Sequence, residues 1–200
     1  INVANSQSIA SHLSECDAVV HPGYAEGVYQ DTQDWAERDG FVFLGRLAPE
    51  KGCSMLINAM QSIPDEVLTV VGDGTERSAL EALAVRLGLA KRVSFVGRQE
   101  AKEANRWLNR SKVLVVPSIY EEPFGTVALE GLAAGCRVVV SSGGGLSEAA
   151  GPTGIVFASS DIGALTAAMR EAVKKPPRED ECQLRDRHLV HNQFGHIAPR

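Results

Sequence analysis

From residue 41 onward, apolar residues recur along this chain in two alternating patterns. Short, mostly apolar, Val-rich runs at 41–44, 67–71, 93–96, 113–116, 137–140 and 154–157 predict six strands. Between them the apolar spacing changes to three and four. Met55, Leu56, Ala59, Met60 and Ile63 predict a helix over 54–63; Leu80, Leu83, Ala84 and Leu87 predict one over 76–87, which Gly88 closes. Ala104, Trp107 and Leu108 predict a helix over 101–109, and Leu165, Met169 and Ala172 one over 162–173. Another starts near Gly125, where Pro123 and Gly125 end a loop and Val127, Leu129, Leu132 and Ala133 run on to Gly135. Strands without polar alternation, separated by helices, belong to a parallel sheet covered on both faces. The expected fold class is therefore α/β: a Rossmann-like parallel sheet with helices on both faces.

The ends are less regular. Ile9, Ala10 and Leu13 predict a short amphipathic helix over 1–16, followed by a short strand over 17–20 and, after His21-Pro22-Gly23-Tyr24, a polar connection to residue 40. Past Pro176-Pro177, Leu184, Leu189 and Val190 have a weak helical period, so a last helix is expected outside the sheet. Glu179, Asp180, Glu181, His188 and His191 read there as solvent-facing, and two histidines without a third ligand make no metal site.

Composition narrows the classes. With 200 residues, 44% hydrophobic, the chain is long and apolar enough to bury a core. No apolar run approaches the roughly 20 residues that span a bilayer, so no transmembrane segment is expected. A formal net charge of -5 argues against nucleic acid as a partner, since that surface needs an excess of Lys and Arg. Any phosphate site has to be local. Cys16, Cys53, Cys136 and Cys182 show no C-x-x-C spacing, so neither a zinc knuckle nor a disulfide framework is indicated; with no signal peptide visible, a reducing cytoplasm is the expected location. The chain begins with Ile1 rather than Met, and on that ground is expected to be a fragment or a processed product.

Candidate chemistry gathers in loops that follow strands, where open α/β sheets bind ligands. The helix starting near Gly125 offers free N–H groups and a positive dipole end, and glycine lets a phosphate approach the backbone. Glu130 lies about one and a half turns further on, placed to accept two hydrogen bonds from a vicinal diol. Glu122 sits just ahead of the helix start. Two carboxylates bracketing that start point to a ligand with hydroxyls at both ends and phosphates between, as in a nucleotide-diphosphate sugar. On residue type alone, the same glutamates serve equally as a cap and a solvent-facing charge. Arg46 and Lys51, in the loop after the first strand, are by themselves ordinary surface cations. Gly72-Asp73-Gly74, after the second strand, begins a dinucleotide fingerprint, but Arg77 occupies the position of its third glycine.

The string from Glu122 to Glu130, E-P-F-G-T-V-A-L-E, resembles the E-x7-E motif of retaining GT-B glycosyltransferases, the glycosyl transferases of group 1. The loop from Gly45 to Gly52 resembles that family's G-R-x-x-x-E-K-G element, 70–80 its G-x-G element, and Val96-Gly97-Arg98 its segment beside the nucleobase. The loop 141–148 is similar to its G-G-x-x-E, with Ser147 where proline is more usual. The resemblance implies the C-terminal, donor-binding half of a GT-B fold: 1–40 a remnant of an N-terminal domain and the interdomain linker, 41–175 the nucleotide-sugar-binding domain, 176–200 a helical tail. It assigns Arg46 and Lys51 to the donor diphosphate and Glu122 to the transferred sugar, as catalytic residues. Gly45, Arg98, Phe124, Gly125, Thr126 and Glu130 become donor-binding, with Glu130 on the ribose. The donor is a substrate rather than a cofactor, and no metal is expected, because two cations stabilise the leaving diphosphate and no D-x-D motif is present. The acceptor belongs to the missing domain, so this chain alone is expected to bind nucleotide but transfer little or no sugar. Two alternatives remain at this stage: a non-catalytic nucleotide-binding module and a Rossmann oxidoreductase.

Overall fold

The structure is a computed structural model and describes residues 2–192. Six parallel strands form the central sheet: β3 (Asp39–Leu44), β4 (Leu68–Val71), β5 (Val93–Gly97), β6 (Ser111–Val116), β7 (Arg137–Ser141) and β8 (Ile155–Phe157), in the order β5-β4-β3-β6-β7-β8. Two further strands, β1 (Val3–Ala4) and β2 (Ala18–Val19), pair with each other in parallel, apart from this sheet. The α/β class expected from the apolar runs is the class observed.

Strand side chains divide between two cores. Phe41, Phe43, Val70, Val113, Val115 and Val139 point to one face, which α2 (Cys53–Ala59), α3 (Arg77–Arg86) and α7 (Ile162–Lys174) cover through Leu56, Ile57, Leu80, Leu165 and Met169. Val42, Val71, Leu114, Val116, Val138 and Val140 point to the other, beneath α4 (Ala101–Arg110), α5 (Thr126–Ala133) and α6 (Leu146–Ala150). Because both faces are dry, successive residues are apolar, which is why these strands read as uninterrupted runs.

The first 40 residues differ from the pattern expected of them. Instead of one helix over 1–16, the chain forms β1 and a four-residue helix, α1 (Gln7–Ala10). Ser6 Oγ accepts from the Ile9 amide at 3.1 Å, and the Glu148 carboxylate accepts from the amides of Gln7 and Ser8 at 2.8 and 3.0 Å. A carboxylate supplied from a distant part of the chain thus caps a helix too short to persist alone. Tyr24 and Tyr29 are buried in the second core, so the polar connection contributes to packing. Arg38 fastens its end. The buried guanidinium donates to Ala134 O at 2.9 Å and Gln33 O at 3.0 Å, and pairs with Asp31 Oδ1 at 2.6 Å.

A last helix, α8 (Glu179–His191), lies outside the sheet as expected, but two of its residues do not simply face solvent. Glu181 pairs with Arg137 at 2.7 Å and also accepts from the Arg178 amide, tying the helix start to β7. His188 is half-buried and its Nε2 meets Ala149 O at 3.0 Å; burial, more than any neighbouring charge, holds its ionisation below the usual range. Glu179, Asp180 and His191 are exposed.

Candidate functional site

β3 and β6 lie side by side, and the chain proceeds from β3 to one edge of the sheet and from β6 to the other. Their carboxyl ends form the topological switch point, where open α/β sheets bind ligands. A cleft of about 320 Å³ opens there, lined by Gly45, Arg46 and Lys51 from one side and by Ser118, Glu122, Gly125 and Thr126 from the other.

Local backbone geometry brings these side chains together. After β3, a 3-10 turn at Pro49–Lys51 ends on Gly52, which has a φ of 69° and whose added Cβ would lie 2.0 Å from Pro117 O. Only glycine permits that approach. The loops after β3 and β6 are joined further by the Ile119 amide, which donates to Glu50 O at 2.9 Å. Lys51 Nζ thereby reaches Glu122 Oε1 at 2.6 Å, across 71 positions of sequence. Beneath Glu122, the loop of three glycines supports the backbone: the Gly145 amide donates to Glu122 O at 2.7 Å, and a Cβ on Gly144 would lie 2.1 Å from that oxygen.

Glu122 is the centre of a dense polar cluster. Its Oε1 also accepts from Ser118 Oγ at 2.6 Å, and its Oε2 from the Tyr120 hydroxyl at 2.7 Å, while Lys51 donates to the same hydroxyl at 3.2 Å. Burial alone would raise the ionisation of Glu122, but the hydrogen bonds from Lys51, Ser118 and Tyr120 outweigh it and hold the carboxyl below its usual range. Burial likewise opposes the charge on Lys51, and its bonds to Glu122 and Tyr120 more than restore it. The result is a charged pair that is buried yet satisfied. Arg46 is largely exposed and pairs with Glu50 at 2.5 Å.

Gly125 begins α5 in the left-handed region, with a φ of 93°, and an added Cβ would lie 2.4 Å from Leu146 Cδ2. The first intrahelical bond runs from the Ala128 amide to Gly125 O, so the amides of Gly125, Thr126 and Val127 precede the helix ladder at the cleft wall. The Phe124 side chain turns away from the cleft into the second core and stacks on His21 with centroids 4.8 Å apart. Glu130 follows Thr126 and Val127 by four and three positions, hence on the same helix face. It is half-buried, and its ionisation is raised by that burial despite a hydrogen bond from Tyr29.

Arg98 lies in an adjoining cleft of about 420 Å³, which shares Gly45 and Arg46 with the first and adds Gly72, Gly74 and Gln99. The two glycines of the G-x-G have a packing reason: a Cβ on Gly72 would lie 1.8 Å from Gly45 O, and one on Gly74 2.2 Å from Leu47 O. They admit the neighbouring loop, and Arg77 pairs with Glu81 at 3.0 Å. Three residues at the site escaped the sequence reading: Ser118, Tyr120 and Tyr29. Single hydroxyls carry no periodicity, and the only available sign was that Ser118 and Tyr120 stand in the loop between a strand end and Glu122.

The family description Glycosyl transferases group 1 matches residues 33–188, well over half of the chain. The chain belongs to this family. A glycogen synthase of Mycobacterium tuberculosis is 38% identical over 141 residues, covering 68% of this chain and 34% of the relative. Among solved structures, sucrose-phosphate synthase from Thermosynechococcus elongatus superposes with a TM-score of 0.85 at 26% identity, covering 96% of this chain and 54% of the other. Anabaena HepE, solved in complex with UDP, superposes with a TM-score of 0.77 at 22% identity, covering 94% and 57%. This group 1 glycosyltransferase chain therefore spans about a third of the length of the curated relatives it matches and somewhat over half of the two solved chains just named. Among its described residues, no helix is long and apolar enough to cross a membrane.

Proposed function

We propose that this chain is the donor-binding half of a retaining glycosyltransferase that takes a nucleotide-diphosphate hexose. The observation that carries the reading is the meeting of Lys51, Glu122 and the glycine-capped start of α5 in one cleft at the switch point of the sheet. In this reading the diphosphate lies among Arg46, Lys51 and the amides of Phe124, Gly125 and Thr126, beside Gly45. Glu130 takes the ribose hydroxyls, Arg98 borders the base in the adjoining cleft, and Glu122 orients the transferred sugar. The UDP held by the Anabaena relative supports a nucleoside diphosphate as the ligand class.

Transfer breaks the bond between the anomeric carbon and the diphosphate oxygen, and the electron pair leaves with the diphosphate. Arg46 and Lys51 stabilise that growing charge. The acceptor hydroxyl attacks the same face and passes its proton to the departing phosphate oxygen, so no enzyme nucleophile is required. The relatives' greater length supports placing the acceptor site on a further domain.

Calorimetric titration of the chain with UDP, GDP and ADP tests the reading. One diphosphate is expected to bind, and both Glu130→Ala and Arg46→Ala to weaken it. A folded chain that binds none of the three, or variants that bind as the parent does, would refute the donor site; full sugar transfer by this chain alone would refute the need for another domain.

A further inference from the structure

The two cations of the cleft are both matched to carboxylates, Arg46 to Glu50 and Lys51 to Glu122. The first pair is exposed, and an anion displaces it easily. The second is buried, so an anion entering the cleft competes with Glu122 for the Lys51 ammonium. What becomes of Glu122 then depends on its other partners. Its two oxygens are provided for unequally: Oε1 accepts from both Lys51 and Ser118, whereas Oε2 accepts from Tyr120. When Lys51 turns away, one hydroxyl remains on each oxygen, and the carboxylate keeps both its charge and its direction. Without the Tyr120 hydroxyl, Oε2 of a buried carboxylate loses its donor and Glu122 holds Lys51 more tightly.

Tyr120 is also built to accompany the lysine. Its hydroxyl accepts from Lys51 at 3.2 Å while donating to Glu122, and its ring lies 5.0 Å from Lys51 Nζ, within cation–π range. At 38% exposure the ring stands at the rim of the cleft, where it can follow the ammonium without disturbing the core. We propose that Tyr120 is a positioning residue: with Ser118 it retains Glu122 as an oriented carboxylate while Lys51 is transferred to the donor diphosphate. This rests on the donor-site reading given above, and adds to it an exchange of partners within the site.

The test is titration of UDP and inorganic pyrophosphate into the chain and its Tyr120→Phe, Glu122→Gln, Arg46→Ala and Tyr120→Phe/Glu122→Gln variants, each checked for a cooperative thermal transition well above the titration temperature. Tyr120→Phe keeps the ring and removes only the hydroxyl. It is expected to weaken both ligands about fivefold, the factor one hydrogen bond is worth. Glu122→Gln removes the competitor for Lys51 and is expected to tighten pyrophosphate by a similar factor. In the Glu122→Gln background the loss of the Tyr120 hydroxyl should have no further effect, whereas a packing role would give the same penalty in both backgrounds. If Arg46→Ala weakens binding but Tyr120→Phe binds as the parent, or its penalty persists beside Glu122→Gln, the positioning role is refuted and the donor site stands. If Arg46→Ala has no effect, or no variant binds either ligand, the donor site is refuted and the inference falls with it.

Discussion

Glu122, just ahead of α5, and Glu130, within it, stand in opposite electrostatic situations. Glu130 has its ionisation raised by burial more than its bond to Tyr29 lowers it. A carboxyl raised in the fold contributes stability that is fully present below its ordinary value of 4.5 and is lost as pH rises through the folded value. At neutral pH Glu130 therefore weakens the fold, as a residue retained for binding is expected to do. Glu130→Gln should raise the thermal midpoint at pH 8 without nucleotide, with the gain shrinking toward pH 4, while nucleotide affinity falls. A lower midpoint at pH 8 would show that the charge is stabilising. Glu122 has the reverse sign: its stabilisation is present above 4.5 and is lost as pH falls through its lowered folded value. Gly125 supplies another residue-scale prediction. A side chain there meets both a left-handed φ and Leu146, so Gly125→Ala should lose about 2 kcal/mol in urea titration. A loss below about 0.5 kcal/mol would mean that Leu146 and the backbone adjust freely.

At the scale of elements, Arg38 shows how a segment without periodicity is made part of the fold. Its guanidinium satisfies the carbonyl of Ala134 at the end of α5 and pairs with Asp31, which Arg185 of α8 also approaches at 3.3 Å. Arg38→Ala removes the donor from the Ala134 carbonyl and leaves the partly exposed Asp31 to Arg185 alone, and roughly 2 kcal/mol of stability should be lost at an unchanged urea slope. Arg38→Lys should recover only part of it, since an ammonium cannot reproduce the planar fork. Recovery to the parent value would mean that charge alone matters. Nothing in the polar run 30–40 announced this role, because it is fixed by helix ends that lie about 70 to 100 residues away in sequence. The six strands were legible for the opposite reason: burial on both faces writes itself into consecutive residues such as Val113 to Val116. α6 was not legible, since five residues after Gly145 give no period, and α1 depends on Glu148 for its cap. At the site, Glu122, Glu130, Arg46 and Lys51 stood out through motif spacing, whereas the hydroxyls of Ser118, Tyr120 and Tyr29 depend on close approaches between loops that spacing does not encode.

For the molecule as a whole, the apolar pattern begins at residue 41, but the buried structure begins earlier. Tyr24 and Tyr29 fill the second core, and Arg38 closes it from the side, so residues 21–40 pack as a third contributor beside the sheet and its helices. The preceding residues are attached differently, through the small β1–β2 pairing and the contacts of Glu148 with the start of α1. These two modes of attachment predict different consequences of truncation. A chain starting at residue 21 gives up a two-stranded pairing and a short helix, and should unfold cooperatively with a loss of about 1–2 kcal/mol. A chain starting at residue 41 exposes the sites of two buried aromatic rings, at about 3 kcal/mol each, and leaves helix-end carbonyls unsatisfied. Together these approach the whole stability of an ordinary domain, about 5–15 kcal/mol, so this shorter chain should lack a cooperative urea transition. The two chains also separate packing from ligand contact at Tyr29, which bonds Glu130: the chain from residue 21 should bind nucleotide as the full chain does. If instead the chain from residue 41 unfolds at the same urea concentration as the full chain, residues 21–40 act as a linker lying on a finished surface, and the second core is complete without them.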